Sequence, residues 1–450
     1  MPPQLKRPLL SRLKLSRSLI GLISIPCVVF LGIGLVNGRR EWMASRQLER
    51  KLQPLRDAGS PVGDAAMSRR FRDATSDAGT AAWSRINLLC NAFRWQAVDS
   101  LPVVGTQDLP TRIAPDTAWD ADKPVGAYLA AIKPILDLIH ASAEVPMPVW
   151  QPVEFRGVQT LLPHLQESRQ VARILRLESE HALFHREPAR AMRAIDSLQA
   201  TAAAYDWHLF MVGELVHLAL YQIYLDSISR SLNVDLWNQE QLDSLLTRLR
   251  AELPIEEKWR ASLAAEQLMI IATLENNSNW ARHAPTPLLP LWSTPTARLE
   301  LYNTYDALMT LADTGADQLS TRSRQWEESF VRQAASGDRM LLRLFFPAIH
   351  PFALALDRAS DKRKMTLTAV AIKVYQTKFD RWPEALSELA RLGLRETDWT
   401  LRTQGPVGYE VAETGVELFC YAPDISEIQP STPTVIRREP GVAYTAIPIQ

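Results

Sequence analysis

The chain has 450 residues, with 50 basic and 50 acidic side chains and a formal net charge of zero. That balance argues against a nucleic-acid partner, which calls for a basic surplus, and a hydrophobic content of 46% allows a sizeable buried core. Gly is sparse at 18 against 30 Pro, and the wealth of Leu, Ala, Arg and Glu favours helices over sheets.

The first predicted element is a membrane span. Ser18 to Val36 read SLIGLISIPCVVFLGIGLV without a charge, close to the roughly 20 apolar residues that cross a hydrocarbon core. Lys6, Arg7, Arg12, Lys14 and Arg17 precede it with no acidic residue among them. The positive-inside rule then predicts a basic cytoplasmic tail over 1–17, a single transmembrane anchor over 18–38 and a body beyond the inner membrane. A cleaved signal peptide needs a shorter apolar core and small residues at the cut. The exit Leu35-Val36-Asn37-Gly38-Arg39-Arg40 is a poor match, and Pro26 is compatible with a span.

Residues 39–126 read as a juxtamembrane helix and a Pro-rich linker. Trp42, Leu48, Leu52 and Leu55 keep helical spacing, Asp57 to Asp77 is polar, and Trp83 to Trp95 is apolar enough to dock. Prolines cluster between Leu101 and Pro124, as in a surface loop.

A helical domain is predicted over 127–358. It starts with a helix from Ala127 to Ile139. Over 165–186, Val171, Ile174, Leu175, Leu177, Ala182 and Phe184 share one arc, as a core-facing helix requires. Pro188 opens the next helix, with Ala191, Ala194, Ile195 and Leu198 on one side. The pair reads as a helical hairpin whose spacing is similar to a tetratricopeptide unit. Asp206 is placed to cap a helix running from Trp207 to Leu232 that is apolar nearly all round. Helical patterns continue over 239–252 and 255–275, pass a connection with Pro285, Pro287, Pro290 and Pro295, and resume over 297–312 and 320–344.

Over 359–425 the pattern predicts a small α+β module. A helix from Asp361 to Phe379 meets the turn Asp380-Arg381-Trp382-Pro383, then a short helix with Leu386 and Leu389 that Gly393 stops. Gly408 to Val411 and Val416 to Tyr421 alternate around Thr414-Gly415, the pattern of a β-hairpin. Residues 426–450 read as a loose tail or edge strand. The fold class expected is therefore mainly α, with an N-terminal transmembrane helix, a hairpin domain and this module.

The order of helix, Tyr375, Trp382-Pro383 turn, Leu386 and Leu389, hairpin and Tyr421-Ala422-Pro423-Asp424 resembles the soluble part of type II secretion pseudopilins. The chain as a whole resembles uncharacterised planctomycete membrane proteins that combine an anchor, a hairpin like Leu177 to Ala194 and this ending. The first resemblance implies a helix-plus-sheet docking module, and the second carries no activity. A pilin places Glu at the fifth position after its processing glycine, whereas here Gly21 is followed at that place by Pro26.

Of the cysteines Cys27, Cys90 and Cys420, the first lies in the apolar segment, so at most one bridge joins the other two. Free buried thiols are the plainer expectation. The sharpest chemical pattern is a pair of Glu-x-x-His spacings, Glu178 with His181 and Glu214 with His217. Three residues apart puts both side chains on one helix face, and two such helices are half of a ferritin-like di-metal site. These four residues are the candidate metal ligands, with His185 one turn beyond His181. Chance competes with that reading, since Asp137-x-x-His140 is a third match in a chain with eight His. A core His bonded to Glu178 fits equally well. His181 and His185 lack the adjacent Glu of a zinc protease, because Ala182 stands there. No nucleophile elbow, phosphate loop or dinucleotide fingerprint occurs, so no organic cofactor is expected. The function expected is that of a membrane-anchored extracytoplasmic helical interaction or scaffold protein with a protein partner. The alternatives are a metal-dependent enzyme on the two Glu-x-x-His helices and a secretion-system component.

Overall fold

A computed structural model of the chain is mainly α-helical. It describes residues 17–73, 76–92, 98–110, 115, 117–144, 153–156, 160, 162, 164–204, 210–275, 294–313, 319–333, 349–403, 405–412, 415–421, 435–439 and 442–449. Only the backbone is described at 17–32, 71, 91, 164, 275, 412, 420–421 and 435–448. Two compact units emerge, one from residues 1–60 with 274–303, the other from 61–273 with 304–450.

The first unit is built on α1, Arg17–Asp57. This helix changes character along its length. Ile33, Leu35 and Val36 are 52%, 72% and 68% exposed, whereas Ala44, Leu48 and Leu52 are buried. Those last three recur every fourth residue and so form one packed stripe. The Glu41 carboxylate accepts the backbone N–H of Thr296 at 2.9 Å, in the first turn of the helix Pro295–Met309, where unpaired N–H groups favour an anion. The Lys51 ammonium lies 4.9 Å from the Tyr302 ring centre. Among the described residues no single helix is long and apolar enough to cross a membrane. The side chains of 17–32, which make up most of the expected span, lie outside that description.

The second unit holds the remaining helices: α2 (Asp64–Asp73), α3 (Asp77–Ala92), α4 (Asp122–Ala131), α5 (Lys133–Ala143), α6 (His164–Phe184), α7 (Pro188–Ala203), α8 (Met211–Ser231), α9 (Gln239–Leu249) and α10 (Ile255–Glu275). With α11 as the helix Pro295–Met309, the series ends on α12 (Leu319–Gln333) and α13 (Ile349–Phe379). The α6–α7 hairpin forms as the spacing predicts. Val171, Ile174, Leu175, Leu177 and Ala182 of α6 face Ala191, Ile195 and Leu198 of α7 within one buried cluster. Glu187 precedes the helix and Pro188 occupies its first turn, where its missing N–H costs nothing. α13 is buried on all sides between Met365 and Tyr375 and packs against α8, α9 and α12. α4 and α5 together have the length and apolarity of a bent span, but Val125, Tyr128, Leu129, Ile135 and Ile139 lie in this core.

α13 ends at Asp380, which takes φ 52°, and the 3-10 helix Leu386–Leu392 ends at Gly393 with φ 81°, a conformation open to Gly without a Cβ clash. Strands β1 (Thr400–Leu401) and β2 (Gly405–Pro406) form a small ribbon. The strands β3 (Gly408–Ala412), β4 (Gly415–Tyr421), β5 (Val435–Glu439) and β6 (Val442–Ile449) form an antiparallel sheet in the order β3-β4-β6-β5. The expected hairpin is present, with Gly408 opposite Phe419 and Ala412 opposite Gly415.

Three expected boundaries move. The limit at 358 falls inside α13, because Pro351 sits in the first turn, where a helix tolerates it. The limit at 425 divides the sheet, since the expected tail supplies β5 and β6, and β6 lies between β4 and β5. Pro448 pairs with Glu417 in the strand's last residues, which is why a Pro-rich stretch still reads as strand. Finally, α2 and α3 belong to the second unit rather than to a juxtamembrane segment. Leu389, Leu401, Val416, Leu418 and Ile449 share one core with the helices, so the α+β ending is not a separate body. The expected helix start at Asp206 and the stretch 334–344 lie outside the described residues.

Candidate functional site

The two Glu-x-x-His pairs meet different fates. Glu178 on α6 is 3% exposed. Its Oε2 lies 2.9 Å from His140 Nε2 on α5, and its Oε1 accepts Arg190 Nε of α7 at 3.2 Å. Burial alone would raise this carboxyl, but the hydrogen bond and charge of His140 and the Arg190 guanidinium outweigh it and hold it below the usual range. His140 Nδ1 in turn lies 2.7 Å from Ser197 Oγ. A Ser, a His and a Glu in one row have the makings of an acyl-transfer triad. Here all three are buried in the core, and the hydroxyl sits on Nδ1 and the carboxylate on Nε2, the reverse of that arrangement. The row satisfies buried polar groups and ties α5, α6 and α7 together.

Glu214 on α8 closes on its own partner, with Oε1 2.9 Å from His217 Nδ1. Lys258 of α10 reaches the same carboxylate at 3.1 Å. All three are buried, so a fixed ammonium already balances the charge that a metal would have to neutralise. The chain thus does not assemble Glu178, His181, Glu214 and His217 into one centre. Of the four, among the described residues, only His181 belongs to a group of three donors close enough for an ion.

That group is Asp122, His181 and His185, whose ligand atoms all lie within 4.8 Å of one another. Asp122 is the first residue of α4, and His181 and His185 stand one turn apart at the end of α6. Asp122 Oδ1 is 2.7 Å from His185 Nε2 and 3.5 Å from His181 Nε2. Side-chain exposure rises from 12% at His181 through 27% at Asp122 to 40% at His185, so the group is open on one side. Trp119 stands over the inner wall, 6.3 Å from the His181 ring and edge-on to Phe184 at 5.4 Å. Gly126, one turn along α4 from Asp122, faces the same nitrogen, and a Cβ there would come 3.2 Å from His181 Nε2. On the other side of the ring, Arg190 Nη1 points at Nδ1 from 3.3 Å and donates to Glu187 at 2.9 Å. Burial, then the Arg190 and His185 charges, push His181 down to about 4 against the opposite pull of Asp122 and Glu187, so it is neutral at pH 7.

Other buried ionisable groups make fixed contacts within the fold. Asp357 accepts the Ser320 N–H at 2.9 Å and Arg402 Nε at 3.1 Å, and Arg402 also reaches Glu256 at 2.8 Å. Asp361 accepts the N–H groups of Arg402 and Thr403. Together these pin the β1–β2 turn to α13. Glu266 on α10 accepts the Met211 N–H at the start of α8, yet burial pushes it up to about 7. Cys90 is a free thiol that burial, with the Glu167 charge, pushes up to about 11.

Sequence reasoning named His181 and noticed His185, but it missed Asp122, which lies far away in sequence and carries no local motif. The fold and this group define a mainly helical protein of two units with a small antiparallel sheet and, among the described residues, one half-open cluster of two His and one Asp. Comparison with protein-family models, curated proteins and solved structures finds no match.

Proposed function

We propose that the chain is a single-pass protein of the inner membrane whose helical body works on the extracytoplasmic side as an interaction or scaffold module. The observation that carries this reading is the change along α1. Ile33, Leu35 and Val36 are largely exposed, and about two turns later Ala44, Leu48 and Leu52 are buried. Exposed aliphatic side chains clustered around one helical turn suit lipid rather than water. Trp42 follows at the exit, 56% exposed and covered by the Arg46 guanidinium 4.3 Å above its ring, the residue types of a membrane–water boundary. The body behind it is a packed helical array with a tetratricopeptide-like hairpin, and its buried ion pairs bind helices together rather than shape a reaction site. A second reading, a secretion-system component, draws on the order of α13, turn, 3-10 helix and antiparallel sheet, the order that pseudopilin modules share.

Fractionation tests the anchor. The full chain is expected in the membrane pellet after alkaline carbonate and in solution only with detergent, while a chain lacking residues 1–38 is released. Protease added to spheroplasts is expected to digest the body and spare the first residues. Intact full-length chain recovered without detergent sinks the proposal. Co-purification with pilus-type assembly proteins would favour the second reading.

A further inference from the structure

We propose that Asp122, His181 and His185 form a divalent zinc site with one coordination position open to water. The donor set is two imidazole nitrogens and one carboxylate oxygen, the combination Zn2+ takes when three protein ligands leave a fourth position free. The spacing suits it. Tetrahedral ligand atoms at ordinary Zn–N and Zn–O lengths lie about 3.3 Å apart, and Asp122 Oδ1 already stands 2.7 Å and 3.5 Å from the two Nε2 atoms. Small rotations of His185 and Asp122, the two more exposed side chains, bring all three onto one ion.

Two further features favour the site. His185 is the first residue beyond α6, four on from His181, and its N–H still bonds the His181 carbonyl at 3.1 Å, so the last helical turn carries on to bring both rings to the same side. Gly126 is a glycine within a regular helix, where its conformational freedom serves no turn and every other residue but Pro favours the helix more. What it provides is room, because its missing Cβ is the atom that would crowd His181 Nε2. Arg190 opposes binding. Coordination through Nε2 places the ring proton of neutral His181 on Nδ1, which Arg190 Nη1 faces at 3.3 Å. That contact is the longest of three this guanidinium makes, the others being Glu187 at 2.9 Å and Glu178 at 3.2 Å. It opens while those two carboxylates keep the arginine in place and balance its charge. The group differs from the Glu-x-x-His pairs in this respect, since their carboxylates are held by Lys258 or Arg190.

The test uses the untagged full chain in detergent, stripped with a chelator and titrated with Zn2+ against a chromophoric competitor. Co2+ serves as the spectroscopic probe. One equivalent of Zn2+ is expected, with visible Co2+ bands of tetrahedral intensity. His185→Ala and Asp122→Asn are expected to lower affinity by about a hundredfold, no less than the loss of an outer-shell partner. Neither side chain is buried, so both variants fold. Gly126→Ala is expected to weaken Zn2+ although it favours the helix, an outcome a merely structural role would not give. His217→Ala is expected to leave binding unchanged. The proposal is overturned if the wild-type chain binds no stoichiometric Zn2+ or if binding survives His185→Ala with Asp122→Asn. Loss of binding through His217→Ala instead would overturn it too.

Discussion

Glu266→Gln isolates a carboxyl of the helical body that burial raises to about 7. Glu266 sits on α10 and accepts the backbone N–H of Met211, the first residue of α8, whose N-cap Phe210 offers no side-chain acceptor. The carboxyl therefore does what a capping side chain would do, but among apolar neighbours, and burial moves it from 4.5 to about 7. A group whose folded value is raised binds its proton more tightly in the native state. Its contribution is fully present below pH 4.5 and is lost as pH rises through 7. At about 1.4 kcal/mol per pKa unit, the wild-type chain loses at most about 3.5 kcal/mol by pH 8.5. This is a ceiling, because the residue is half-buried rather than sealed. Gln keeps the acceptor for Met211 and cannot ionise. Urea unfolding of the detergent-solubilised chain, followed by tryptophan fluorescence, is expected to give equal midpoints for variant and wild type at pH 4.5. Above pH 8 the variant is expected to be the more stable by up to that amount. Every other titrating group cancels in the difference, so a gap that stays constant from pH 4.5 to 8.5 refutes the reasoning.

Four further outcomes follow from the ion pairs and the thiol. Glu178→Ala leaves His140 and Arg190 facing a void and is expected to cost about 3 kcal/mol or more in the same unfolding assay, while Glu178→Gln costs less because one acceptor remains. Lys258→Met alone strands the Glu214 carboxylate and is expected to destabilise by about 3 kcal/mol, and adding Glu214→Leu restores most of the loss. Non-additivity of the two changes is the reading to check. Glu388 is held down to about 2, first by its hydrogen bond from Arg381 and also by those from Tyr375 and the Glu384 N–H. Its depressed value contributes stability above pH 4.5 that disappears as pH falls through 2. The penalty of Glu388→Gln is thus expected to shrink to nothing in acid, and a penalty of equal size at pH 7 and pH 2 would contradict it. Cys90, raised to about 11, is expected to resist iodoacetamide at neutral pH until urea unfolds the chain, as peptide mass mapping would report.

The helical hairpin was legible because its signals are local. The arc of Val171, Ile174, Leu175 and Leu177 repeats at the helix period, and Pro188 marks where the second helix starts. α13 was half legible for the same reason. Its C-terminal part carries an apolar stripe, but its first turns hold Pro351 and the buried Asp357 and Asp361, which read as a break and a charged surface. Those carboxylates are satisfied by Arg402 and by backbone N–H groups of the β1–β2 turn, partners some forty residues away. β6 was hidden in the other direction. Its Thr and Pro content suggests a loose tail, and only pairing with β4 makes a strand of it, since strand preference depends on which neighbours fill the pleat.

The candidate site shows why spacing alone could not choose among the histidines. Both Glu-x-x-His pairs share a helix face as expected, but a ligand needs a lone pair that no fixed cation already faces. In α8 the pair closes on itself and Lys258 takes the remaining charge. In α6 Arg190 stands between the members, bonding Glu178 on one side and facing His181 Nδ1 on the other. It reaches them because Pro188 starts α7 just before it, after a connection so short that the new helix folds straight back on α6. Arg190 thus joins buried His140 in holding Glu178, while the opposite edge of His181 faces Asp122. The residue that decides which metal set can exist is a cation outside both motifs, and its effect appears only once two helices have been packed.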